Sequence, residues 1–230
     1  MSKPVLYSYW RSSCSWRVRI GNLQFILLKF NNFHKNIALE LKDVDYEYRA
    51  VHLVKDGGQQ HKKEYKEINP MGQVPALVMP NSQVITQSMA ILEFLEENFT
   101  SMKLLPAEAF QRAKVREICE VINAGTQPIQ NLSVLIKHSP DDQAERSKWA
   151  HFWIENGLKS VEILLQKSSG EFCVGDQITL ADCLLVPQVY NANRFKVDMS
   201  QFPCISRILQ NLEKNEAFIK AHPDTQPDKQ

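Results

Sequence analysis

The 230-residue chain lacks several features that would place it in large classes of protein. Its five cysteines are widely spaced and form no CxxC pair, which argues against a disulfide framework and against a zinc site. Its longest apolar run, residues 25–28, is far shorter than the roughly 20 residues that cross a bilayer. A formal net charge of +1 argues against nucleic acid or an anionic membrane as the main partner. A strand-like run directly after Met-Ser-Lys-Pro leaves no signal-peptide pattern. We therefore expect a cytoplasmic protein with no nucleic-acid and no membrane partner.

Strand-like and helix-like stretches alternate in the first hundred residues. Strand patterns lie at residues 5–10, 44–53, 71–79 and 84–88, and helix patterns lie at residues 62–68 and 89–98. Pro75 stands near the entry of a strand and is a candidate for a cis peptide bond. Ser88 is the expected N-cap of the helix that begins after it.

The second half of the chain has a different pattern. Apolar residues recur at helical spacing over residues 107–135 and 144–167, and no convincing strand comes after them. We predict an α/β domain over residues 1–101, an all-α domain over residues 107–222, and a disordered tail over residues 223–230. The tail is predicted from its content of Pro, Asp and Gln.

The stretch with the clearest chemical signal is residues 11–19, at the junction of the first strand and the first helix. Its Ser-Ser-Cys-Ser run puts hydroxyls, a thiol and the unpaired N–H groups of a helix start in one place, which favours an anion. An ordinary polar loop is the alternative that this stretch alone leaves open. Cys14 at a helix start could also be a redox nucleophile itself.

Several motifs together resemble those of zeta-class glutathione transferases. They are Ser12-Ser13-Cys14-Ser15-Trp16-Arg17, Asn69-Pro70-Met71 with Gln73-Val74-Pro75, Gln87-Ser88, Gln127 to Val134, Val174-Gly175-Asp176 leading into Thr179 to Asp182, and Asn193-Arg194-Phe195. The resemblance covers almost the whole chain. The Gln-Ser and Val-Pro pairs mark the wider superfamily, and the Ser-Ser-Cys-Ser-Trp-Arg run is specific to the class.

The resemblance implies a thioredoxin-like N-terminal domain that binds glutathione as cofactor, an all-helical C-terminal domain that lines the substrate site, and a homodimer. Ser12 is the expected donor to the glutathione thiolate, with Ser13 and Cys14 shaping the catalytic pocket. The residues expected to bind glutathione are Ser12, Ser13, Cys14, Ser15, Trp16, Arg17, Gln60, Val74, Gln87, Ser88, Gln127, Asn131, Leu132 and Ser133. Arg194 is the expected clamp for a substrate carboxylate, although a surface pairing with Asp198 is the commoner fate of a lone arginine. No metal site is expected.

The implied activity is glutathione-dependent cis–trans isomerisation of maleylacetoacetate to fumarylacetoacetate, a step of phenylalanine and tyrosine breakdown. It would run through thiolate addition, rotation about the resulting single bond, and elimination. The family also displaces halide from small α-halo acids, so a broader transferase or dehalogenase is one alternative. A poorly active scaffold of the same fold is another.

One segment departs from the family pattern. Set against that pattern, residues 21–37 are expected to be a segment interposed in the first helix. Seventeen extra helical residues would add about 25 Å and rotate the subsequent residues by roughly 100°, away from the face that packs on the sheet. The hypothesis is that a retained intron-like or alternatively spliced segment disturbs the helix whose start holds the thiolate. The alternative is a genuine extension that docks on the dimer partner or on a membrane surface.

Overall fold

A computed structural model of the chain describes residues 3–21, 46–98 and 103–230. The chain divides into two compact units. The first comprises the residues up to Met102 together with Glu216–Gln230, and the second comprises Lys103–Asn215. The hypothesis about the interposed segment falls on residues 22–37, which lie outside the described residues. Gly21 is described, and it continues the helix that begins at Ser13.

The first unit is built on a four-stranded mixed sheet. Its strands are β1 (Val5–Ser8), β2 (Glu47–Ala50), β3 (Ala76–Val78) and β4 (Val84–Thr86), in the spatial order β2-β1-β3-β4. In the central strand β1, Leu6 lies opposite Tyr48 of the parallel neighbour β2 and opposite Leu77 of the antiparallel neighbour β3. β4 pairs antiparallel with β3. A parallel pair needs a long crossover connection, and here that connection begins with a helix. The predicted thioredoxin-like domain is confirmed.

Among the described residues before position 99, three helices accompany this sheet. α1 covers residues 13–21 as far as it is described, α2 is Lys63–Ile68 and α3 is Ser88–Asn98. α3 buries Ile91, Leu92 and Leu95, which recur at helical spacing as the sequence pattern predicts. Two short 3-10 turns, Lys55–Gly57 and Gln59–His61, lead from β2 toward α2.

The C-terminal residues belong to the first unit. The helix α9 (Glu216–Ala221) buries Ala217, Phe218 and Ala221, and a 3-10 turn lies after it at Pro223–Thr225. Asp228 accepts hydrogen bonds from the Trp10 N–H (3.0 Å) and the Tyr48 hydroxyl (2.7 Å). By its contacts, the segment 216–222, which the sequence assigned to the helical domain, groups with the first unit, and these hydrogen bonds hold residues 223–230, which were expected to be disordered. Composition predicted fraying because it cannot reveal that a polar segment has specific partners elsewhere in the chain.

The second unit is helical, as predicted. Its helices are α4 (Ala109–Asn123), α5 (Leu132–His138), α6 (Gln143–Ser168), α7 (Leu180–Arg194) and α8 (Pro203–Leu212). α4 packs on α6 and α7, and α6 also contacts α5, α7 and α8. The fully buried side chains at these contacts include Ile118, Ile122, Ile154, Leu158, Leu184 and Leu185.

One continuous helical stretch was expected over residues 107–135, but the structure interrupts it between α4 and α5. Thr126 donates its hydroxyl to the Val121 carbonyl (2.8 Å), which satisfies an acceptor near the end of α4. Pro128 has no N–H to continue the helical ladder. Asn131 then restarts the helix, because its side chain accepts the Ser133 N–H.

Two buried carboxylates fix helix starts in the second unit. Asp182 is fully buried and accepts from the Cys173 N–H (3.0 Å), the Thr179 N–H (2.8 Å) and the Thr179 hydroxyl (2.8 Å). These bonds close the capping box that the sequence predicts at the start of α7. Burial raises the pKa of Asp182. Glu162 of α6 accepts from the first N–H groups of α8, those of Cys204 (2.9 Å) and Ile205 (3.1 Å). A carboxylate from another helix thus takes the place of a local cap.

Candidate active site

The turn between β1 and α1 places Ser12 at the start of a helix. The Ser12 N–H donates to the Tyr9 carbonyl (3.0 Å), which closes a tight turn over residues 9–12. The Ser12 hydroxyl oxygen accepts the N–H of Ser15 (3.2 Å), and the Ser12 carbonyl accepts that of Trp16 (2.9 Å). Ser12 is therefore the N-cap of α1. A serine hydroxyl that accepts one bond keeps its own proton for donation, and the side chain is half-buried rather than covered.

The neighbouring side chains of the same motif differ in exposure. Cys14 is a free thiol and is half-buried, whereas Ser13 is 8% exposed. Ser15 and Trp16 are buried, and the Trp16 ring packs edge-on against His222 at 5.2 Å between ring centroids. Ser12 and Cys14 are thus the more accessible side chains of the run 12–16. The N–H groups of the first helical turn lack intrahelical acceptors and add to the positive character of this end of α1.

A buried arginine donates hydrogen bonds to the backbone of this turn. The sequence pattern did not predict it as a site residue. Arg19 is completely buried and donates to the carbonyls of Tyr9 (3.3 Å) and Trp10 (2.9 Å). It also donates to the Ser8 hydroxyl (3.2 Å) and to the Ala221 carbonyl (3.2 Å). Burial lowers the pKa of Arg19 to about 10. A sequence signal exists, since an arginine on the apolar face of a helix must find several acceptors.

The loop before β3 carries Val74, which was expected to pair with the glutathione backbone. The Val74–Pro75 peptide bond is cis, as expected for Pro75 from the sequence. The preceding carbonyl of Gln73 accepts from the Tyr65 hydroxyl (2.6 Å) and the Asn69 amide (2.6 Å). The Val74 side chain is 7% exposed and packs in an apolar cluster with Tyr9 and Tyr65. This loop is therefore attached both to α2 and to the residue that opens the Ser12 turn.

The start of α3 combines a second helix N-terminus with a buried cation. Gln87 adopts a positive φ of 72° and its carbonyl accepts the Ile91 N–H, so Gln87 caps the helix and Ser88 is its first residue. The prediction that Ser88 is the N-cap is thus displaced by one residue. Arg17 of α1 is fully buried, and its guanidinium donates to the Ser88 hydroxyl at 3.4 Å. A helix N-terminus and a guanidinium both favour an anion.

Gln60 points toward its own loop. Its amide nitrogen donates to the Leu53 carbonyl (3.2 Å) and lies 3.1 Å from a ring nitrogen of His61. Its amide oxygen is buried and has no hydrogen-bond partner among the described residues. In this conformation the side chain braces the loop rather than reaching toward solvent.

The remaining predicted site residues lie in the second unit. Gln127 is half-buried after α4, and its N–H donates to the Ile122 carbonyl. Asn131 caps α5, whose first residues Leu132 and Ser133 are exposed. Arg194 ends α7, is exposed, and places its guanidinium carbon 5.2 Å from the centre of the Phe195 ring.

The described residues contain no group of three or more His, Cys, Asp or Glu side chains placed to hold a metal ion. Two of the described histidines have other contacts: the His138 ring lies 4.0 Å from the Trp149 ring between centroids, and a ring nitrogen of His151 lies 3.0 Å from the Phe195 carbonyl oxygen. Within the residues that the structure describes, no helix has both the length and the apolar character that a membrane span requires.

Two family models match the chain: the glutathione S-transferase N-terminal domain over residues 36–98 and the C-terminal domain over residues 130–223. With the mixed sheet, the cis bond before Pro75 and the capped serine at the start of α1, these matches define the class. The chain belongs to the glutathione S-transferase family.

Comparison with individual proteins assigns the chain to a class within this family. The chain is 48% identical to maleylacetoacetate isomerase of Rattus norvegicus over 226 residues, which is 98% of this chain and 95% of the relative. Among solved structures, maleylacetoacetate isomerase from Anaeromyxobacter dehalogenans with glutathione bound in its active site superposes with a TM-score of 0.82 at 39% identity, covering 100% of both chains. A bacterial maleyl pyruvate isomerase of the zeta class gives a TM-score of 0.84 at 37% identity, with 98% of this chain and 99% of that chain covered. The chain belongs to the zeta-class glutathione transferases, in the maleylacetoacetate isomerase family.

Proposed function

We propose that this protein is a glutathione-dependent isomerase that converts maleylacetoacetate to fumarylacetoacetate. The observation that carries the proposal is the geometry of Ser12, which caps α1 through its oxygen and keeps a hydroxyl proton for an anion. Glutathione fits this corner because two of its anionic groups, the thiolate and the γ-glutamyl carboxylate, correspond to two helix starts in the same unit. The chemistry that glutathione supplies is reversible addition of its thiolate to the cis double bond, which permits rotation about that bond and returns the tripeptide unchanged.

Ser12 stabilises the thiolate in this proposal. A free thiol has a pKa near 8.5, so a neutral solution contains only a few per cent of the nucleophilic form. Lowering that pKa by roughly two units requires about 2.7 kcal/mol of preference for the anion. A hydrogen bond to a charged group contributes about 1.5–3 kcal/mol, and a helix N-terminus adds about 0.3–1 kcal/mol. The two together reach the required amount.

Two further groups hold carboxylates. The start of α3 at Ser88, backed by the Arg17 guanidinium, takes the γ-glutamyl carboxylate of glutathione. The backbone of Val74 holds the middle of the tripeptide. Arg194 binds a carboxylate of the substrate, for which a planar guanidinium provides two parallel donors.

The protein is proposed to act as a cytoplasmic homodimer. A broader transferase or dehalogenase would use the same thiolate, so displacement of halide from small α-halo acids is the second candidate function. Substrate comparison distinguishes the two candidates.

The test is isomerisation of maleylacetone by the full chain, with and without glutathione. The proposal expects turnover that depends on glutathione and exceeds turnover of dichloroacetate and of an aryl halide. Faster turnover of dichloroacetate than of maleylacetone would favour the dehalogenase. Binding of glutathione without turnover of any of the three compounds would favour the scaffold.

A further inference from the structure

The C-terminal segment, residues 216–230, reaches back to the turn that carries Ser12. The Asp228 carboxylate accepts the Trp10 N–H at 3.0 Å and, with its other oxygen, the Tyr48 hydroxyl at 2.7 Å. The Ala221 carbonyl accepts from Arg19, the same guanidinium that donates to the Tyr9 and Trp10 carbonyls. The segment is thus joined to the turn directly through Asp228 and indirectly through Arg19.

These hydrogen bonds involve both the backbone N–H and the backbone carbonyl of Trp10. Trp10 is an interior residue of the turn that the Tyr9 carbonyl and the Ser12 N–H close. Its N–H is bound by Asp228 and its carbonyl by Arg19. A turn closed by one backbone hydrogen bond has other conformations available, and each external bond removes some of them. The orientation of the Ser12 hydroxyl depends on the turn, because Ser12 is its last residue.

The C-terminal segment is also anchored away from the turn. Tyr48 lies on β2, and its hydroxyl fixes the second oxygen of Asp228. Burial raises the pKa of Tyr48, so its phenol keeps its proton as a donor. Asp228 therefore connects the edge strand of the sheet to the turn.

We propose that Asp228 and Arg19 are positioning residues for glutathione binding. Through them, the C-terminal segment stabilises the Ser12 turn in the conformation that binds the thiolate. The inference rests on the proposed role of Ser12. Asp228 thus contributes to the affinity for glutathione through the turn, without contacting the tripeptide itself.

The experiment compares Asp228→Ala, Asp228→Asn and a matched control, Asp224→Ala. Asparagine can replace both bonds, because its amide oxygen accepts the Trp10 N–H and its amide N–H group donates to the Tyr48 oxygen. Asp224 is a carboxylate of the same segment whose contacts, to Lys229 (2.9 Å) and His222 (3.7 Å), stay within that segment. For each full-length variant the KM for glutathione, kcat for maleylacetone, the pKa of the bound thiol and stability in urea are measured.

The proposal expects Asp228→Ala to raise the KM for glutathione roughly tenfold and to raise the pKa of the bound thiol, with a smaller effect on kcat at saturating glutathione. Asp228→Asn should restore most of the wild-type KM, and Asp224→Ala should match wild type. If Asp228→Ala lowers stability in urea but leaves the KM and the thiol pKa unchanged, the residue is merely structural and the proposal is overturned. A wild-type chain that fails to bind glutathione would instead refute the proposed function, so the two failures are distinguishable.

Discussion

Replacing Ser12 by alanine removes two hydrogen bonds that have different consequences. One is the cap bond, in which the Ser12 oxygen accepts the N–H of Ser15 at 3.2 Å. Its loss should lower the free energy of unfolding by about 1 kcal/mol. The other is the proposed bond from the hydroxyl to the glutathione thiolate. Its loss, at about 1.5–3 kcal/mol, should raise the pKa of the bound thiol by roughly one to two units.

Two further substitutions separate these effects. Ser12→Asp preserves the cap, because aspartate caps helices about as well as serine, but it places a negative charge beside the thiolate. Ser12→Thr preserves both the cap and the donor. The expected order of bound-thiol pKa is wild type and Ser12→Thr lowest, Ser12→Ala higher and Ser12→Asp highest, whereas only Ser12→Ala should lose stability.

The assay is an ultraviolet titration of the bound thiolate, with urea unfolding of each variant in parallel. A thiol pKa in Ser12→Ala equal to that of wild type would refute the assigned role of this hydroxyl. Loss of activity with Cys14→Ala but not with Ser12→Ala would favour the redox alternative. Cys14 is half-buried on the same helical turn and is the appropriate comparison.

Three other predictions concern the units that support the site. Gly157→Ala should lower the free energy of unfolding in urea by about 1–3 kcal/mol, because a Cβ there would clash with the Thr126 hydroxyl oxygen. Adding Thr126→Ala should relieve part of that cost. Strictly additive effects of the two substitutions would contradict the contact. Glu162→Ala should cost about 2–4 kcal/mol, because it leaves two N–H groups at the start of α8 without their acceptor; a cost within about 0.5 kcal/mol would show that this cap is unimportant. Burial lowers the pKa of His222, so the unfolded chain binds the proton more readily than the folded chain. The free energy of unfolding should therefore fall as the pH drops below about 6.5. The fall should be shallower in His222→Gln, and identical pH profiles of the two proteins would exclude this contribution.

The elements that sequence predicts well are those with a local cause. Apolar periodicity predicts the strands and the helices α3 and α6. The capping box at Asp182 is predicted from residues that lie within one helical turn of each other. The motif residues 12–17 lie, as predicted, at a junction of strand and helix. The chain ends its first strand and starts a helix there because the Ser12 side chain supplies the cap.

The features that sequence reasoning missed depend on contacts between distant residues. Asp228 lies 218 residues from its partner Trp10, and Glu162 lies 42 residues from Cys204, the start of the helix that it caps. No local pattern distinguishes a polar tail that has such a partner from one that does not. Arg19 belongs to the motif region that the sequence identifies, but its four acceptors come together only in the folded unit. The orientation of Gln60 toward Leu53 has a different origin, because these residues are near in sequence and the side chain follows the loop geometry, which composition does not determine.

The central claim is that the turn at Ser12 and the start of α1 stabilise the thiolate of glutathione. Titrating the ultraviolet thiolate absorption of glutathione bound to the full wild-type chain, beside free glutathione in the same buffer, tests it most directly. The pKa of the bound thiol should lie roughly two units below that of the free tripeptide. Equal pKa values for bound and free glutathione would contradict it.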